Sequence, residues 1–139
     1  MKTINYILLV IAISITSHSI AQIAPVDDNG IAIGGYDVVA YFSGNAKKGV
    51  KDYSVKHNGA TYYFANIANR NTFKKSPKKY LPQFNGYCAW GVAEKETNFP
   101  INPETFDVVE GKLYLFFNGP INGKPFNTLN PWKANHYSK

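Results

Sequence analysis

The most regular alternation of apolar and polar positions in this chain runs over residues 52–65. Tyr53, Val55 and His57 alternate with polar neighbours, Asn58-Gly59 interrupts, and Ala60-Thr-Tyr-Tyr-Phe64 returns. An Asn-Gly pair between two such runs predicts a hairpin, because both turn positions take left-handed backbone that few other residues tolerate. A two-residue turn also fixes the register. His57 then faces Ala60, Val55 faces Tyr62 and Tyr53 faces Phe64, with the apolar side chains on one side. A second hairpin is predicted from 105–109 and 112–117 around Glu110-Gly111. Phe106 and Val108 should share a face with Leu113 and Leu115. Glu110 suits a positive-φ turn position less well than Asn or Asp.

Elsewhere the period changes. Asn66 can cap a helix running to about residue 75 that carries Ile67, Arg70 and Phe73. Ser76-Pro77 restarts a short helix, with Ser as cap and Pro at the first position, that holds Tyr80 and stops at Pro82. Positions 22–35 are rich in turn formers, with 31–33 as a short strand. Positions 36–42 (Tyr-Asp-Val-Val-Ala-Tyr-Phe) suit either a strand or a helical turn, and 43–49 read as a loop. Positions 87–93 read as a strand of small residues. The tail from Asn130-Pro131 onward reads as a closing helix whose Trp132 packs back on the domain. The fold class is α+β: a small single domain with an antiparallel sheet built from two β-hairpins, covered on one face by short helices at about 66–81.

The first residues change the picture of location. Lys2 supplies a positive start, 6–13 are apolar, and Ser19-Ile20-Ala21 puts small residues before Gln22. That is the layout of a secretory signal peptide over 1–21, leaving 22–139 as the mature domain. The apolar run is short of the roughly 20 residues that a spanning helix needs. The mature chain is therefore expected in the periplasm or the medium, not spanning a membrane. The chain carries Tyr 10, Phe 9 and one cysteine, so aromatic burial rather than an internal disulfide must stabilise it. Its net charge of +6 rests almost wholly on lysine, with Arg70 the single arginine. Base and phosphate recognition favours arginine's planar fork, and export argues further against nucleic acid.

The residues then converge on a known family. Gly35-Tyr-Asp-Val-Val-Ala-Tyr-Phe42, the Gly59 to Phe64 stretch with its two tyrosines, Phe73, Pro77-Lys-Lys-Tyr80, Pro82-Gln-Phe-Asn-Gly-Tyr-Cys-Ala89 and Gly111-Lys-Leu-Tyr-Leu115 closely resemble exported bacterial YHS-domain proteins. The similarity covers nearly the whole mature chain. Val38 stands where such proteins usually have proline, and Asn85 where they often have glycine. The resemblance favours a helical turn at 36–42. It also implies possible metal handling, since the wider YHS group includes cysteine-bearing metal-associated domains. Carried over residue by residue, their three cysteines fall on Ala40, Ala65 and Asn69, so a soft thiolate site for copper(I) or zinc cannot form from those positions.

Candidate chemistry is correspondingly sparse. Cys88 is either a buried small hydrophobe, a metal ligand, or a redox or intermolecular thiol. His57 is the strand histidine that could join it in a site for a transition metal such as copper or zinc. Asp37, Tyr36 and Tyr87 are the candidates for a tyrosine-lined ligand pocket, against a plain reading of Asp37 as a turn cap and the tyrosines as core. Lys74, Lys75, Lys78 and Lys79 form a solvated helical face or an anion-binding patch. No catalytic residue is assigned, because a cysteine nucleophile needs a base and an orienting third group that the sequence does not place beside it. The expected function is an exported YHS-like binding module that handles a metal ion. The alternatives are a structural module docking an envelope protein partner, and a small-ligand binder.

Overall fold

The computed structural model describes residues 26–137, so the export signal read at 1–21 lies outside the described residues. The fold is α+β. Among the described residues, four α-helices accompany three antiparallel two-stranded sheets. The expectation of one sheet from two hairpins is thus corrected: each hairpin stands as its own sheet, and there is a third.

The first hairpin pairs β1 (Val50–His57) with β2 (Ala60–Phe64). His57 faces Ala60 and Val55 faces Tyr62, as the Asn58-Gly59 turn requires, with φ of 48° and 80° at the two turn residues. Tyr53 does not face Phe64. An irregularity between Val50 and Ser54 shifts the ladder so that Val50 takes that place. Gly49 accounts for the closeness there: a Cβ at this position would lie 2.3 Å from the Tyr63 carbonyl carbon. The second hairpin joins β3 (Asn102–Val109) to β4 (Lys112–Phe116), with Phe106 opposite Leu115 and Val108 opposite Leu113. Glu110 accepts the left-handed position at φ 50°. The third, β5 (Asn118–Ile121) and β6 (Lys124–Asn127), turns at Asn122-Gly123.

Asn66 caps α1 (Ile67–Lys75) by accepting the Asn69 N–H at 2.8 Å, and α2 (Pro77–Tyr80) starts at its proline. Between Asp37 and β1 lies a 3-10 turn, Ala40–Ser43, in keeping with the helical reading of 36–42. Ile31 makes an isolated parallel bridge to Thr61 rather than a strand, and Ile33–Gly35 form a second 3-10 turn.

The strand expected at 87–93 is overturned. A 3-10 turn at Gln83–Gly86 leads into helix α3 (Ala89–Lys95) with Cys88 at its N-cap. The small residues serve close approach rather than a sheet. A Cβ on Gly91 would meet the Phe99 ring at 2.6 Å and the Thr97 carbonyl oxygen at 2.8 Å. Thr97 N–H donates to the Gly91 carbonyl at 3.0 Å, and Cys88 N–H to the Phe99 carbonyl at 3.3 Å. The segment thus satisfies its backbone through helix and loop, with no neighbouring strand to complete a ladder.

Two apolar clusters result. The larger centres on Tyr62, Phe64 and Phe73, whose rings pack at 5.1 Å, with Tyr41, Leu113 and Leu115 around them. Burying each such side chain stabilises the fold by about 1.5–3 kcal/mol. The smaller gathers Ala89, Phe116 and Trp132, the last from the closing helix α4 (Leu129–Tyr137). No helix among the described residues is long and apolar enough to cross a membrane.

Candidate functional site

Cys88 is fully buried, and its Sγ lies 3.2 Å from Thr128 Oγ1. The direction of that bond follows from proton counting. Thr128 has one hydroxyl proton and donates it to the Phe117 carbonyl at 3.0 Å. With that proton placed on the carbonyl, a Cys88 S–H completes the pair as donor to Thr128. A metal ligand or nucleophile would be the thiolate. The relay ties the start of α3 to Thr128, between β6 and α4, and through it to Phe117, between β4 and β5.

His57 occupies a different setting. It ends β1, half-buried, with its ring edge-on to Phe73 at 5.7 Å and to Tyr62 at 6.4 Å. No hydrogen bond joins it to Cys88. Among the described residues, no group of three or more His, Cys, Asp or Glu could hold a metal ion.

Asp37 is fully buried and accepts four hydrogen bonds. Oδ1 takes the N–H of Val39 at 2.9 Å and of Ala40 at 3.2 Å. Oδ2 takes the N–H of Ala65 at 2.9 Å and the Asn69 side-chain amide at 2.7 Å. Capping is thus only half its role. The carboxylate also clamps the 40–43 turn to the junction between β2 and α1. Ala40, Ala65 and Asn69 all converge on this one carboxylate. Every acceptor face is used, so Asp37 offers nothing to a ligand.

Tyr36 donates its hydroxyl to Glu104 Oε1 at 3.1 Å, and burial followed by Glu104 raises its pKa. Tyr87 is half-buried after the 83–86 turn, its N–H bonded to the Phe84 carbonyl at 3.1 Å. Asp37, Tyr36 and Tyr87 therefore play separate parts, and none of them lines the clefts described below.

The residues that do frame one lie on the other face of the first hairpin. Alternation sends Ala60, Tyr62 and Phe64 into the core and leaves Thr61 and Tyr63 on the opposite side, with Ser54 directly across from Tyr63. The lead-in chain closes over this face. Ala32 N–H donates to the Thr61 carbonyl at 2.9 Å, and Thr61 N–H to the Gly30 carbonyl at 2.8 Å. Between them lies a cleft of 440 Å³ lined by Asn29, Ile31, Lys51, Ser54, Thr61 and Tyr63. A smaller cleft of 180 Å³ shares Ile31 and Tyr63 and reaches Gly34, Gly35, Lys48 and Asp27. Gly35 brings its backbone against the ring: a Cβ there would stand 3.3 Å from Tyr63 Cδ2. Ile33, buried and β-branched, is held at φ 52° beside these glycines. That conformation is a true outlier for its residue type, and such strain concentrates at functional sites. By contrast, a 360 Å³ depression on the third hairpin, lined by Ile121, Lys124, Pro125 and Phe126, has only Lys124 to orient a ligand.

The sequence singled out none of the Tyr63 cleft residues. The available signal was a tyrosine on the polar face of a predicted strand, flanked by Thr61 and facing Ser54. Comparison with known proteins finds no matching family model, no matching curated protein and no matching solved structure.

Proposed function

We propose that this chain is a non-catalytic binding module of the cell envelope, similar to YHS-domain proteins, which holds a small ligand in the cleft over Tyr63. The observation that carries this reading is the 440 Å³ cleft itself, with one aromatic platform and several hydrogen-bonding side chains around it. Small-molecule sites have this composition: apolar and aromatic surface with a few polar groups that fix orientation. The signal-like start at 1–21 supports the location. Transition-metal binding through Cys88 and His57 is the displaced reading, because the thiol is enclosed and paired with Thr128. A small-ligand role needs neither residue.

The test is a screen of small aromatic and sugar compounds against the mature chain, read by backbone amide NMR shifts. Hits should move Ile31, Thr61 and Tyr63 and be lost in Tyr63→Ala. Copper or zinc bound at one per chain, and abolished by Cys88→Ala, would replace this reading with the metal one. Failure of every compound, with an envelope protein captured instead, would replace it with the interaction module.

A further inference from the structure

The chemistry around Tyr63 narrows the ligand class, and this step rests on the small-ligand reading above. Hydrogen-bonding groups converge on the larger cleft from three segments: Asn29 from the lead-in chain, Lys51 and Ser54 from β1, and Thr61 from β2. No carboxylate is among its lining residues. Lys51 has no ion-pair partner among the described residues, where Lys133–Asp107 and His136–Glu94 are the ion pairs. The one acid of the adjoining smaller cleft, Asp27, has its Oδ1 occupied by the N–H groups of Asn29 and Ile31, each at 2.9 Å. Lys48 adds a second positive charge on that side. The whole chain is cationic at +6, so long-range attraction acts in the same sense.

We infer that the larger cleft binds a small organic anion, a carboxylate or phosphate carried on a ring. The ring lies against Tyr63 and Ile31, and the anionic group is met by Lys51 with Ser54, Thr61 and Asn29 donating. A lone lysine acts as a point charge rather than a planar fork, so it accepts carboxylate and phosphate alike. The hydroxyls and the Asn29 amide fix the orientation. Gly49 is what permits this geometry, because it lets the chain that carries Lys48 and Lys51 press against the backbone at Tyr63.

The experiment pairs each anionic probe with an uncharged counterpart on the same ring: phenyl phosphate against phenol, and glucuronate against glucose. Each is titrated into the mature chain and followed by amide shifts at Ile31, Thr61 and Tyr63. The charged member of each pair should bind at least about tenfold tighter. Lys51→Met should remove most of that preference, and added salt should weaken it. Lys51 is exposed, so this variant should keep the fold, and an unchanged amide spectrum elsewhere confirms it. Equal binding of charged and uncharged members, or a preference untouched by Lys51→Met, overturns the anion assignment while leaving the small-ligand reading intact. If none of the four probes moves the cleft amides, the anion assignment falls. If the wider compound screen also leaves them unmoved, the small-ligand reading falls with it.

Discussion

The two halves of this protein bury a polar group each, and they do so by opposite means. Around the larger cluster, Asp37 places a carboxylate out of water with no salt bridge to it among the described residues, compensated by four donors from three segments. Around the smaller one, Cys88 and Thr128 form a neutral relay that ends on the Phe117 carbonyl. A buried charge costs far more to leave uncompensated than a buried hydroxyl or thiol does. The first centre should therefore dominate stability, and the second should tune it. This also explains why neither offers a binding site. Each polar atom in them is already committed to holding chain segments together, and open polar groups are found instead over Tyr63.

The comparison is broken most directly at Asp37. Asp37→Ala leaves the N–H groups of Val39 and Ala65 and the Asn69 amide without their acceptor, while Ala40 N–H keeps the Asp37 backbone carbonyl, and should cost at least about 3 kcal/mol in urea unfolding. A loss below about 1 kcal/mol would mean that water reaches these donors and the centre is not closed. Thr128→Val removes the middle of the neutral relay, leaving the Cys88 thiol unpaired while the Phe117 carbonyl keeps only the Thr128 N–H. The expected loss is about 1–3 kcal/mol, largely restored by Thr128→Ser.

Tyr41 extends the test to alkaline pH. Its hydroxyl donates to the Pro103 carbonyl at 2.6 Å, and burial, helped by the negative groups of Tyr36, Asp37 and Glu104, pushes its pKa well above the ordinary 10.0. Burial does the same at Tyr62. Above about pH 10 the unfolded chain releases protons that the folded chain retains, so stability should fall as pH rises from there and stay flat with respect to these groups below it. Tyr41→Phe should cost about 1 kcal/mol at neutral pH and make the alkaline fall shallower. Equal slopes in the two proteins would place the Tyr41 hydroxyl in contact with water. The smallest expected change is at Cys88. Cys88→Ala should cost about 0.5–1.5 kcal/mol. In the unaltered protein, iodoacetamide should modify the thiol only through opening of the fold, so its labelling rate should track denaturant. Fast labelling without denaturant would contradict the enclosed S–H and reopen a thiolate role.

Much of the fold was legible wherever one local signal decided the outcome. Asn58-Gly59 set both turn and register, Asn66 capped its helix, and Ser76-Pro77 restarted the next. The reading failed where distant contacts decide. Residues 87–93 look like a strand from composition, but the fit of Gly91 under Phe99 selects a helix. Tyr53 lost its predicted place to an irregularity set by Gly49 meeting Tyr63. The third hairpin carried its own Asn122-Gly123 signal, masked by short flanks with a proline in each. The candidate site was less legible than the fold. Cys88 and His57 stood out because their residue types are rare in the chain, yet rarity does not bring residues together. The Tyr63 cleft arises from a parallel bridge between Ile31 and Thr61, thirty positions apart in the chain, which no local pattern announces.

The third hairpin has a consequence for how copies of this protein meet one another. Three separate two-stranded sheets leave many strand edges unpaired, and open edges invite intermolecular pairing. On β5 and β6, Pro120 faces Pro125, one step beyond the pair that closes the Asn122-Gly123 turn. In an antiparallel ladder that step is a non-hydrogen-bonded pair whose N–H groups would point outward. The two prolines therefore give up no bond within the ribbon, yet each removes a donor from an outer edge. A concentrated solution should find this ribbon a poor template for chain-to-chain strand addition, and Pro120→Thr with Pro125→Thr should make it a better one.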